Sequence, residues 1–376
     1  MQSHWVRTIS RPCAAPRTGG WPACYAAVNF LDSVLMPLNT HDPGTTVARE
    51  RAEVAESGFT GVPGGSPIAV RGGGRVVVGT AGWTDRTLTA RGVFYPDRVT
   101  SPETRLRYYA SRFAMVEADS PYYALPVPAT TALWAERTPA AFLIDVKAYA
   151  LMTGHPAEVK RLPTGLRQAL PRALATQTRV YPKDLPPEIV DEVWATFRGA
   201  LEPLRDAGKL GLVLLQYPRW FLPNAETKDQ IVEAQHRLNG IRCAVEFRNR
   251  RWMSEHTADR TLNFLQDHDL PYVTVDEPQG LQSSVPPVAA VTSPTLAVVR
   301  LHGRRGDLWE KSGVSTTEKY RYLYDRAELE EWVTRVIELA RRTAETHVVF
   351  NNCYANYGTT NATEFAELIS AAVSRQ

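Results

Sequence analysis

Cysteine is scarce in this sequence. Cys13, Cys24, Cys243 and Cys353 are the four in 376 residues, and none forms a C-x-x-C pair. A zinc site built on paired thiolates is therefore not expected. Cys243 and Cys353 sit in or beside strand-like runs and read as small buried hydrophobes. An excess of one charge is lacking too: 43 Lys and Arg against 40 Asp and Glu leave a formal +3. That balance weighs against a broad nucleic-acid-binding face. No apolar run approaches the roughly 18 residues that a membrane span needs. The amino terminus has no signal-peptide core, so no membrane partner and a cytoplasmic location are the expectations. H-E-x-x-H, Walker, G-x-S-x-G and EF-hand patterns are all missing. No single motif names a reaction or calls for a cofactor.

What is present divides at residue 74. Residues 1–74 are rich in Gly, Pro, Ala and Thr and end in GVPGGSPIAVRGGG. They show no sustained period of 2 or 3.6, and read as a mostly disordered extension or an over-long start. From 75 to 376, short apolar runs alternate with helical patterns. The runs are VVVGT (76–80), FAMVEAD (113–119), FLIDVKA (142–148), GLVLLQ (211–216), CAVEF (243–247), YVTVDE (272–277), LAVVRLH (296–302) and HVVFNN (347–352). Most are continuous in Val, Leu and Ile, as strands buried on both faces should be. Helical spacing marks 102–113, 188–205, 259–268, 328–342 and 359–373. Eight strands with mostly helical crossovers in about 300 residues fit a TIM-type (β/α)8 barrel. A doubly wound open sheet is the competitor, but no G-x-G-x-x-G follows the first strand. Residues 149–187 are too long for a plain crossover and are expected over the barrel mouth. Residues 278–294 are poor in helix formers, so one outer helix is expected to be missing.

Each run ends in polar residues, and in a barrel the carboxyl ends of the strands line the active face. They are Glu117 and Asp119, Lys147, Gln216, Glu246 and Arg248, Asp276, Arg300 and His302, and Asn351 and Asn352. Period-two alternation puts Glu246 with Arg248, and Arg300 with His302, on one side of their strands. Lone buried charges cost several kcal/mol, so pairs such as Glu246 with Arg300 or Glu117 with Lys147 are expected. The bland reading is an ionic plug; the sharper one is a polar ligand pocket. The GTAGW turn (79–83) offers backbone N–H groups to an anion, and the arginines of RNRR (248–251) and GRRG (303–306) offer phosphate clamps. Solvated surface arginines and a plain turn are the bland counterparts.

The order GTAGW, VEADSPYY, LLQYP, VEFRNRRW, VDEP, RLHGR and FNNCYANYGTTNA resembles the YecE-like family, known as domain of unknown function 72. The resemblance covers about 76–376 and implies a TIM-type barrel with a polar pocket, but no established reaction. Ala81, Asp119, Tyr122 and Asn249 depart from the family's usual residues and leave the main charged groups in place. Two functions compete. The first is an enzyme, a hydrolase or an isomerase or lyase, acting on a small polar or anionic substrate such as a sugar or phosphate ester. Glu117, Glu246, Lys147 and His302 would be catalytic. Trp83, Tyr123, Gln216, Arg248, Trp252, Asp276, Arg300, Asn351 and Asn352 would bind substrate. A variant adds a divalent metal held by Glu117, Glu246, Asp276 and His302. The second is a non-catalytic barrel that binds a metabolite, or nucleic acid through Arg250, Arg251, Arg304 and Arg305.

Overall fold

All eight apolar runs become parallel strands. The computed structural model describes residues 65–375, and the strands are β1 (Arg75–Ala81), β2 (Met115–Ala118), β3 (Leu143–Lys147), β4 (Leu210–Gln216), β5 (Cys243–Glu246), β6 (Val273–Asp276), β7 (Leu296–Leu301) and β8 (Glu345–Phe350). Each pairs with the next except β5 with β6, and β8 returns to β1. The last gap, between β5 and β6, is joined by one bridge, Val245 to Tyr272, with the Val245 amide donating to the Pro271 carbonyl at 2.8 Å. The result is a nearly closed (β/α)8 barrel.

Helices α1 (Pro102–Ala110), α2 (Pro128–Glu136), α3 (Pro187–Asp206), α4 (Ala225–Arg237), α5 (Ala258–Asp267), α6 (Arg326–Arg342) and α7 (Tyr357–Ser374) surround the strands. Their apolar faces follow helical spacing; α3 buries Ile189, Val193, Phe197, Ala200, Leu201 and Leu204. Residues 277–295 link β6 to β7 without a helix, so the outer ring lacks one member, as the composition there implies. Asp325 begins α6 with a capping box, its carboxylate accepting from the Glu328 amide. Among the described residues, no helix is long and apolar enough to cross a membrane.

Of the extension read as mostly disordered, residues 65–74 are described and hold a short strand. Ile68–Ala69 pairs antiparallel with β1, Gly72 turns the chain at φ +71°, and Val70 is buried. Two strand residues are too few to give a period, and the Gly-rich composition signals only the turn that follows them. Residues 1–64, with Cys13 and Cys24, lie outside the described residues. Cys243 is buried as expected, and Cys353 donates from Sγ to the Ala81 carbonyl at 3.0 Å.

The amino-terminal half of the barrel interior holds its own ionic group. His347 Nδ1 meets Asp145 Oδ2, and its Nε2 meets Glu345 Oε1, both at 2.8 Å. Glu345 also accepts from Arg242 at 2.8 Å and from Arg75 at 2.7 Å. Burial alone would push His347 down, but Asp145 and Glu345 outweigh it and raise the imidazole to about 9. Glu345, despite burial, is held well below the usual carboxylate range by His347 and Arg242. A side chain at Gly211 would overlap the Asp145 carboxylate. The β3–β4 register slips between Ile144 and Val146, opposite this point.

Two outcomes follow from this packing. Ala in place of Gly79 would drive a Cβ into the Met115 carbonyl of the neighbouring strand. Backbone must shift, and urea melts should show a loss of about 1–3 kcal/mol. For His347, a folded value above the ordinary 6.5 means stabilisation that is complete below pH 6.5 and lost as pH rises through about 9. The gap is worth on the order of 3 kcal/mol. The melting temperature should fall across that window, and His347→Gln should be less stable at pH 6 with a flatter profile up to pH 9.

Candidate active site

Register separates the two faces of the strand ends. Arg300 aligns with Val275 and Val349, and Leu301 aligns with Asp276 and Phe350. Arg300 of β7 donates from Nη1 to Glu246 Oε2 on β5 and from Nη2 to Glu117 Oε1 on β2, the latter at 2.5 Å. Neither strand adjoins β7, so the Arg300 row points to the barrel axis and the Leu301 row to the helices. Glu246 Oε1 lies 2.6 Å from Arg248 Nε and 3.5 Å from His302 Nε2. The Arg248 approach is close, but the oxygen and this nitrogen form no aligned hydrogen bond. Arg248 also donates to Glu277 Oε2 at 3.0 Å and lies 3.1 Å from His302 Nε2. Gln216 Oε1 accepts weakly from both Arg248 and Arg300, at 3.4 Å each.

These charges are buried, and burial splits their proton affinities. Burial pushes Glu246 up, yet the flanking Arg248 and Arg300 guanidiniums overcome it and hold the carboxyl well below its usual range. At Glu117 burial dominates over Arg300 and Lys147 and raises the carboxyl to about 7. Glu277 is raised by burial to about 8 despite Arg248. Burial and then Arg248 keep His302 neutral, well below its usual value. Its Nδ1 lies 2.8 Å from the Asn351 side-chain amide. Lys147 is lowered by burial, which the carboxylate of Asp119, 3.7 Å away, only partly offsets.

The mouth is aromatic. Trp309 and Tyr320 meet edge to face, and their rings lie 6.2 and 5.9 Å from His302. The Arg248 guanidinium sits over Trp309 at 5.5 Å. On the opposite side, His155 contacts Tyr122 at 5.3 Å and Trp220 at 5.7 Å. His155 comes from the long 149–187 segment, which does reach over the strand ends. Burial, then Lys147 and Arg248, push His155 down to about 3. Tyr123 and Trp220 remain over half exposed, at 51% and 55%.

Most of the residues singled out from sequence converge here: Glu117, Glu246, Lys147, His302, Gln216, Arg248, Arg300 and Asn351 face the axis, with Tyr123 at the rim. The Glu246–Arg300 pair forms as expected. Glu117 takes Arg300 in place of Lys147, and Lys147 takes Asp119. Four residues belong elsewhere. Asp276 faces the helices and accepts from Arg304 Nε at 3.0 Å. Asn352 donates to the Tyr322 carbonyl and Asn361 Oδ1, fastening the outer layer. Trp83 packs edge-on against Trp134. Trp252 stacks on Phe247 with centroids 4.1 Å apart and donates from Nε1 to the Phe221 carbonyl. With Asp276 turned away and both Glu117 and Glu246 claimed by Arg300, the four residues considered for a metal do not converge.

The clamps read from GRRG are neutralised: Arg304 also binds Glu328 and Glu331, and Arg305 binds Asp307 and Glu318. At the first turn, Gly82 takes φ +84° and gives its N–H to the Glu117 carbonyl at 2.8 Å. That donor is not free for an anion. Glu277, Trp309, Tyr320 and His155 went unrecognised. Alternation from Val275 would have found Glu277; the other three sit on loops without a period.

The arrangement makes the two partners of the central ion pair unequal. Arg300→Met strands two carboxylates in the barrel and should cost about 3–5 kcal/mol. Glu246→Gln leaves Arg300 with Glu117 and Arg248 with Glu277, so chemical denaturation should show a clearly smaller loss. Equal losses would contradict this account.

A family model described as "Protein of unknown function DUF72" matches residues 77–376. The UPF0759 protein YunF of Bacillus subtilis (strain 168) is 30% identical over 297 residues, covering 78% of this chain and 94% of that protein. The crystal structure of a DUF72 family protein from Thermotoga maritima MSB8 has a TM-score of 0.61 and 29% identity, over 78% of this chain and 98% of that one. Another, from Enterococcus faecalis V583, has a TM-score of 0.62 and 23% identity, over 78% and 95%, and supports the fold alone. Family match, curated relative and barrel agree: this chain belongs to the DUF72 family, of which UPF0759 proteins are also members.

Proposed function

We infer that this barrel is an enzyme acting on a small polar or anionic substrate, of the sugar or phosphate-ester class, by carboxylate acid–base chemistry. Hydrolysis, isomerisation and lyase chemistry all fall within that reading, and a cytoplasmic location is part of it. The observation that supports it is the contrast between Glu117 and Glu246. One guanidinium holds both carboxyls, yet one is raised to about 7 and the other lies well below its usual range. Two titratable groups pushed apart by their surroundings are what acid–base work near neutrality needs. Glu117 is the proton carrier. Glu246 stays ionised between Arg248 and Arg300. Lys147, Arg248 and His302 orient the substrate, and the rim tyrosine and tryptophan give a ring a flat surface.

The second reading, a binding barrel without catalysis, draws on the same pairing: Arg300 already holds two carboxylates. A panel of sugars, sugar phosphates and phosphate esters separates the two. Turnover of a panel member should follow a pH profile with an inflection near 7 that Glu117→Gln removes, with kcat falling about 10²–10⁴-fold. Saturable binding by calorimetry with no turnover, unchanged in Glu117→Gln, would assign the barrel to binding.

A further inference from the structure

Lys209 is buried and Lys147 is nearly so, and the two are treated very differently. Lys209 donates to the carbonyls of Ala135 and Thr138, the latter at 2.6 Å, and to Thr138 Oγ1 at 3.2 Å. All three of its protons are used to tie β4 to the end of α2. Lys147 has no such cradle. Its Nζ lies 3.7 Å from Asp119 Oδ1, beyond hydrogen-bond length, and 4.7 Å from the centre of the Tyr122 ring. Asp119 Oδ1 is itself buried without a hydrogen bond. The side chain is 14% exposed. Lys147 stands at the carboxyl end of β3. Asp145, two residues earlier on the same face, is in register with Glu117 of β2.

From this geometry we propose that Lys147 is a nucleophilic amine that forms an imine with the aldehyde or ketone of the substrate, in the open-chain form of a sugar or sugar phosphate. The inference rests on the reading of the site as an acid–base enzyme and adds the substrate's reacting group. A lysine becomes a nucleophile when desolvation and a neighbouring cation favour its free amine. Both conditions are met: the amine is lowered by burial, Arg300 adds to the effect, and only Asp119 and more distant carboxylates resist it.

The step balances without an oxidant or reductant. The Nζ lone pair adds to the carbonyl carbon, a C–N bond forms, and the C=O π pair moves to oxygen. That oxygen takes a proton from the Glu117 carboxyl, and the nitrogen passes one to Asp119. Asp119 returns its proton to the new hydroxyl, which leaves as water, and the nitrogen lone pair closes the C=N bond. The products are a protonated imine, ionised Glu117 and water. The newly ionised Glu117 offsets the positive charge of the imine.

The test reads the amine itself and not turnover. The full chain is treated at pH 7 with cyanoborohydride and either formaldehyde, small enough to reach any accessible amine, or dihydroxyacetone, and alkylation is mapped by peptide mass. Lys183 and Lys311, both exposed, are internal references. Lys147 should be alkylated at least about tenfold faster than either, because the free amine is the reacting form. Glu117→Gln should slow the dihydroxyacetone adduct. The fast phase should be missing in Lys147→Arg, which keeps the charge. Alkylation of Lys147 no faster than the references overturns the imine. A Glu117-dependent pH profile on the substrate panel would still stand in that case, so the two readings fail separately.

Discussion

One guanidinium organises the top of this barrel. Arg300 is fully buried and bridges Glu246 on β5 and Glu117 on β2, two strands that do not adjoin its own. A cation in that position is tolerable only because carboxylates meet it on both sides. It fixes the distance across the barrel mouth and sets which side of each strand end faces inward. Everything else at the site is arranged around its charge. Arg248 compensates the second oxygen of Glu246, Glu277 compensates Arg248, and His302 stays neutral between cations.

The barrel interior thus has two ionic layers of different character. Near the amino ends, His347 is charged between Asp145 and Glu345, with arginines closing the group from outside. Its contacts are short, 2.5–2.8 Å, and it tightens the fold. Near the carboxyl ends, the groups are incompletely matched. Glu117 is shifted toward neutrality, Glu246 Oε1 and Asp119 Oδ1 lack aligned donors among the described residues, and Lys147 has only loose partners. The loosely matched layer is where a ligand gains most by binding. The aromatic rim from Trp309 and Tyr320 to Tyr122 and Trp220 narrows access to it.

The missing outer helix between β6 and β7 leaves its own signature. Asp276 turns outward into the space beside α6 and is held by Arg304, which reaches on to Glu328 and Glu331. A basic pair that looks like a phosphate clamp in sequence is therefore a strut. This arrangement weakens the case for nucleic acid more than the overall charge does.

The amino-acid sequence determined the eight strands, the absent crossover helix and most of the axial ring, because continuous Val, Leu and Ile runs and period-two alternation are local consequences of burial on both faces. It also carried the Glu246–Arg300 pair, since two buried opposite charges have few other partners. Beyond the last regular residue of each strand, alternation loses its authority. Asp276 and Glu277 are neighbours of like charge, and only register with Leu301 decided that the first faces out and the second in. Asn351 and Asn352 divided the same way. Trp83 and Trp252 suit a sugar platform and a core equally well, and packing against Trp134 and Phe247 settled the matter. Trp309, Tyr320 and His155 lie in irregular loops, where no periodicity records that long-range contacts bring them to the mouth. Lys147 and Lys209 both flank apolar strand runs, but only Lys209 finds carbonyls to bind, because hydrogen-bond saturation depends on the neighbours that the fold supplies.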